Sequence, residues 1–400
     1  MLSATGGLYH PLLSICLALF LLLIPGEAYK DISDATLTSL PRPNGDFDIH
    51  NGALLAPILR PRVPGTPGAT AVLEHLVNYV RTTLPEWHIE LHNLTSTTPV
   101  SKGKPVKFVN VIASRDPPWA SKGDIGRLNL VAHYDSKLEP TGFIGAIDSA
   151  APCAMIMHAM RSIDAALTAK WEKMRVAGHT LEDAEGIQVI FMDGEEAFQS
   201  WTDEDSLYGA RALAEKWDSE VHPALSTYKT PLSSISVFML LDLLGSKDPT
   251  IQSYFEATHW AYRKLAALEQ RFRDLKQFKS STPRPWFPDA AKSESQIPKS
   301  LGIGDDHVPF LHRGVEILHI IDAASGSGRP FPAVWHTMDD DAEHLDMDTV
   351  EDWSMLITAF AAEWLDLDEY MSASGGNSST PEAGHRIEKH SNRVRKTEFP

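Results

Sequence analysis

A chain of 400 residues, 43% apolar and 22% charged, has an ordinary globular composition and is long enough for one large core or two modest ones. Its formal charge of -17, from 53 acidic against 36 basic residues, argues against the basic face that nucleic-acid binding requires. It suits a soluble protein handling neutral or cationic substrates.

In chain order, residues 11–24 are almost wholly apolar, shorter than the roughly 20 residues a spanning helix needs, and run into Pro25, Gly26, Glu27 and Ala28. Residues 1–28 are expected to be a signal peptide cut near Ala28. A basic n-region is missing, which keeps an uncleaved signal anchor as the alternative. Either places the body in the secretory-pathway lumen or outside the cell, and after cleavage no stable membrane span is expected. Sequons at Asn93 and Asn377 suit that compartment. Cys16 leaves with the leader, so Cys153 has no intramolecular partner and reads as a small buried hydrophobe at a helix start.

Residues 29–45 are expected to form a disordered lead, 372–400 a disordered polar tail, and 46–371 a single folded domain. A helix begins near Thr70, with Leu73, Leu76, Val77 and Val80 at helical spacing, and stops before Pro85. Residues 108–113, 128–132, 187–192, 236–241 and 317–321 read as strands, most of them continuous apolar runs. Helical stretches at 150–171, 206–217, 255–278 and 348–365 separate them. Strands buried on both faces and joined by helices predict an α/β fold with a mostly parallel central sheet. Two intervals, 170–186 and 280–300, look like insertions, each either a functional loop or a surface excursion.

The run at 188–192 delivers two adjacent acids, Glu195 and Glu196, to a strand's end. Taken singly, the acidic run at 193–196 reads as a solvated turn. It gains meaning beside His133, Asp135 and Asp148 earlier and His336 later, each at or near the mouth of an apolar strand. One Asp, one Glu and one His holding zinc leave a fourth position open, which is the catalytic pattern. Asp148, Glu196 and His336 are the best candidates, and the neighbouring Glu195 is then free to act as general acid/base.

These segments resemble the glutaminyl-peptide cyclotransferase family, zinc enzymes related to the two-zinc aminopeptidases. The resemblance runs from Arg62 to the last helix. It is carried by residues 133–137, 145–155, 191–198, 205–209, 240–243, 305–311 and 334–340. It implies a three-layer αβα sandwich, one zinc per chain on Asp148, Glu196 and His336, and Glu195 as proton shuttle. Asp242 would hold the substrate's α-amine, with Asp305 set against it in a carboxyl pair. Trp201, Trp335 and His319 would wall the substrate pocket. Read without the resemblance, the two tryptophans are core aromatics and His319 is a buried, hydrogen-bonded histidine.

The implied reaction converts N-terminal Gln, and more slowly Glu, of peptides and proteins to pyroglutamate, with a monomer as the expected unit. The rival is an aminopeptidase, because His133 and Asp242 stand where the two-zinc enzymes have further ligands. The resemblance also implies a cis peptide between Asp148 and Ser149. The chain departs from the animal cyclases at Ala132, where a disulfide partner of Cys153 is missing, and in longer loops at 170–186 and 322–329.

Overall fold

The computed structural model describes residues 30–179, 181, 184–298, 303–323 and 330–371. Helix α1 (Asp34–Ser39) precedes α2 (Pro67–Thr83), whose first turn is capped by Thr66 and carries Pro at a position that needs no N–H. Strands β1 (His88–Ser96), β2 (Val106–Arg115) and β3 (Gly126–His133) follow, then the long helix α3 (Ala151–Ala177) and β4 (Glu185–Met192). Helix α4 (Tyr208–Ser219), β5 (Ile235–Asp242), α5 (His259–Asp274), α6 (Val308–Leu311), β6 (Ile317–Ile321), α7 (Met347–Trp364) and α8 (Asp368–Met371) complete the order.

Among the described residues the sheet has six strands in the order β1-β2-β4-β3-β5-β6. The four strands β3 to β6 run parallel, and β1 and β2 add an antiparallel edge. Successive residues of β3, β4 and β5 are buried although they alternate between faces, so helices cover the sheet on both sides. The fold is the expected three-layer αβα sandwich. Leaving β3, the chain passes to β4 on one side and then to β5 on the other. A crevice opens beyond the carboxyl ends of strands at such a reversal.

Several expectations need correction. The segment 29–45 is not wholly a disordered lead. Asp34–Ser39 is helical, Leu37 is buried, and the Ile32 N–H donates to Glu363 while Ser33 donates to Asp368. The interval 170–186 is mostly framework, because α3 continues to Ala177 with Trp171 and Met174 in the core and β4 begins at Glu185. The interval 280–300, described as far as 298, sends Trp286 into the core, where it stacks on Trp353 at 4.6 Å, so this stretch is a packed plug rather than a surface excursion. Strand β1 was not foreseen: its outer edge position leaves most of its residues exposed or half-buried, so it carries little apolar pattern. The leader 1–28 and the tail 372–400 lie outside the described residues, as does most of the loop 322–329.

Candidate active site

The acidic loop after β4 is shaped by backbone demands. Gly194 has φ of 78°, and a β-carbon there would lie 2.5 Å from the Phe108 ring, so only glycine makes this turn. Asp135, fully buried just after β3, accepts from the Glu195 N–H with one oxygen and from the Glu196 N–H with the other, both at 3.1 Å. One carboxylate thus fixes the backbone of both glutamates.

Asp148 comes from the irregular turn between β3 and α3, and the Asp148-Ser149 peptide is cis, as expected. The buried Arg62 guanidinium holds this turn by donating to the carbonyls of Tyr134, Ile144, Gly145 and Asp148. Asp340 also holds it, accepting the Ile147 N–H at 2.8 Å. His336 arrives from the loop before α7, with its ring stacked on Trp335 at 3.8 Å and Trp335 in turn against Phe331 at 4.3 Å.

These elements meet around a cavity of about 460 Å³. Asp148, Glu195, Glu196, Trp201, Asp242, Trp335 and His336 all line it. His336 Nε2 lies 3.4 Å from Asp148 Oδ2 and 3.9 Å from Glu196 Oε1. His133 Nε2 is 2.9 Å from Asp148 Oδ1 and 3.5 Å from Asp242 Oδ1. The other His133 nitrogen has only a loose 3.4 Å contact with Asp135.

Burial would raise the Asp148 carboxyl, but hydrogen bonds from His133 and His336 outweigh it and hold the group below the usual carboxylate range. Glu195 is pushed well up, first by burial and then by Glu196, Asp305 and Asp306. Glu196 is raised likewise by burial and Asp148. Burial lowers His133, yet Asp135, Asp148 and Asp242 together hold it well above the ordinary imidazole value.

So much buried acid gathered at one point suggests a cation. The donor atoms of Asp148, Glu196 and His336 lie within 4.8 Å of one another, and Glu196 Oε1 is buried with no hydrogen-bond partner. Carboxylate oxygens with one imidazole nitrogen suit a divalent metal. His133, Asp148 and Asp242 converge equally well, so ligand geometry alone does not separate one-metal from two-metal chemistry. Asp242 Oδ1, however, already accepts from the Ser149 hydroxyl and, at 2.8 Å, from the Leu243 N–H.

Two anticipated residues stand elsewhere. His319 is not on the cavity wall: it is buried in β6, and its Nε2 lies 2.7 Å from Asp305 Oδ2. Asp305 is likewise behind the cavity, bonded to His319 and to the Asp306 N–H rather than to Asp242, although its charge helps raise Asp242 after burial has done so. Conversely, Lys137, Ile303, Gly304, Ile321 and Phe331 line the cavity without having been singled out. Lys137 Nζ, 3.2 Å from Glu196 Oε2, belongs to the 133–137 segment and Ile321 ends the apolar run of β6; Ile303, Gly304 and Phe331 carry no local signal.

The family model for peptidase family M28 matches residues 110–361. Glutaminyl-peptide cyclotransferase-like protein of Bos taurus is 38% identical over 348 residues, covering 84% of this chain and 83% of its own. Glutaminyl-peptide cyclotransferase of Bos taurus is 35% identical, covering 78% and 81%. Among solved structures, the glutaminyl cyclase of Macrostomum lignano superposes with a TM-score of 0.68 at 29% identity, over 85% of this chain and 96% of that one.

Proposed function

This chain belongs to peptidase family M28, among its glutaminyl-peptide cyclotransferases, and from that premise we propose how its own residues close an N-terminal glutamine into pyroglutamate. The observation that carries the reading is the convergence of Glu195, Asp242 and the Asp148, Glu196, His336 triad on one cavity that Trp201 and Trp335 also line.

The substrate's α-amine attacks its own γ-carbonyl; the new C–N bond closes a lactam, the old amide C–N bond breaks, and ammonia leaves. Asp242 accepts hydrogen bonds from the amine with Oδ2, because Oδ1 is committed to Ser149 and Leu243. Glu195 takes a proton from the attacking amine and returns it to the leaving nitrogen, ending in its starting state. Trp201 and Trp335 wall the glutamine side chain, and the amine placed by Asp242 serves as a positioned intramolecular nucleophile in place of an activated water. Asp305, kept in place by His319, acts on this array through its charge on Asp242 and Glu195. One zinc per chain on Asp148, Glu196 and His336 would supply Lewis-acid polarisation of the γ-amide oxygen.

A monomer is the proposed working unit. The apolar leader supports action in the secretory pathway or outside the cell; among the described residues no helix is long and apolar enough to cross a membrane. Assaying ammonia release from a Gln-leading peptide beside amino-acid release from a Leu-leading one tests the reading. Ammonia without trimming is expected. Trimming without ammonia would move the chain to the aminopeptidases.

A further inference from the structure

Trp201 stands on the loop between Glu196 and α4, and the backbone beside it is tied down. Asp205 accepts from the N–H groups of Phe198, Gln199 and Ser200 at 3.1, 2.8 and 2.9 Å, and from the Tyr208 hydroxyl at 2.8 Å. The indole itself is 45% exposed, so its own loop does not bury it. It rests on Gly304. A β-carbon at 304 would lie 2.9 Å from Trp201 Nε1 and 3.4 Å from both Cε2 and Cζ2.

That first distance is shorter than real side chains tolerate, so residue 304 and the indole compete for one space. Gly304 has a φ outside the left-handed range, so its backbone conformation does not call for glycine. Close approach of the indole does. The position is also sensitive, because Ile303 before it lines the same cavity and Asp305 after it is buried behind.

We propose that Gly304 is a positioning residue that seats Trp201 and thereby sets the width of the substrate cavity between Trp201 and Trp335. The substrate rests on the cyclisation reading above, whereas the contact does not. Any side chain at 304 pushes the indole off its seat. Because the indole is half-exposed, it can swing outward without opening the core, and the cost falls on substrate fit rather than on folding. Glu195 and Glu196, upstream on the same loop, are held by Asp135, while Asp148, Asp242 and His336 stand on other segments, so the reacting groups keep their places and the effect belongs in KM rather than kcat.

A double-mutant cycle on the zinc-loaded full chain tests this, using Gly304→Ala, Trp201→Ala and their combination with a Gln-leading peptide. Gly45→Ala is the control, since a β-carbon there meets nothing within 4 Å. Gly304→Ala is expected to raise KM roughly tenfold at little change in kcat. In the Trp201→Ala background the same change should add nothing, because the group it displaces is gone. An equal KM rise in both backgrounds, an unchanged KM, or a fall confined to kcat overturns the proposal. If the wild type trims Leu-leading peptides instead, the cyclisation reading alone has failed. The same cycle read on that substrate's KM then decides whether residue 304 acts through Trp201.

Discussion

Replacing Asp135 by Asn probes the organisation of the site without touching a cavity-lining group. Its two oxygens each accept one backbone N–H, from Glu195 and Glu196, both at 3.1 Å and fully out of solvent. An amide has one acceptor oxygen and one NH₂, so one of those N–H groups must face a donor. The lost hydrogen bond and the stranded buried donor together cost about 3 kcal/mol. An unfolding entropy of roughly 2.1 cal/mol/K per residue over a folded body of about 340 residues gives ~0.7 kcal/mol/K, hence a Tm lower by about 4 °C. Because the same N–H groups set the direction of Glu195 and Glu196, kcat/KM should also fall by roughly 10 to 100-fold. Thermal unfolding and peptide cyclisation are measured on the same preparation. A variant with wild-type Tm and wild-type turnover would show that this carboxylate does not hold the acidic loop.

Glu195→Gln should retain zinc and lose at least about 100-fold in turnover, whereas Glu196→Gln should lose both; metal analysis of the two variants, with about one zinc per chain in the wild type, checks the division of roles. Equal zinc loss in the two, or two tightly held zincs in the wild type, contradicts it. Stability should also respond to Asp322, whose carboxyl burial raises from 3.8 to about 7 while it accepts the Thr250 N–H at 2.8 Å. A folded value above the unfolded one means this contribution is full below about pH 4 and is lost as pH rises through about 7, amounting to a few kcal/mol. Asp322→Asn keeps the acceptor and removes the charge, so its Tm should fall less than the wild type's between pH 5 and pH 8. Parallel pH profiles would remove Asp322 as the cause.

The strands that carry the site were legible because continuous apolar runs are what a doubly covered parallel sheet requires, and the acids that follow them fall at carboxyl ends where such sheets bind ligands. Strand β1 was not, since an exposed edge needs no apolar pattern. Helix α1 is fixed by bonds to Glu363 and Asp368, more than 300 residues away, which no local reading reaches. Depth was equally hidden. His319 belongs to the motif's neighbourhood, yet the register of β6 turns it to Asp305 behind the cavity, while Phe331 and Gly304 reach the wall from irregular segments with no period to betray them.

The preference for ring closure over hydrolysis is tested most directly by mass spectrometry of one peptide beginning Gln-Leu, incubated with the zinc-loaded enzyme. A pocket that folds the glutamine side chain onto its own amine yields a product lighter by one ammonia and complete in every residue. Release of free Gln followed by free Leu, with no ammonia-loss product, would contradict it.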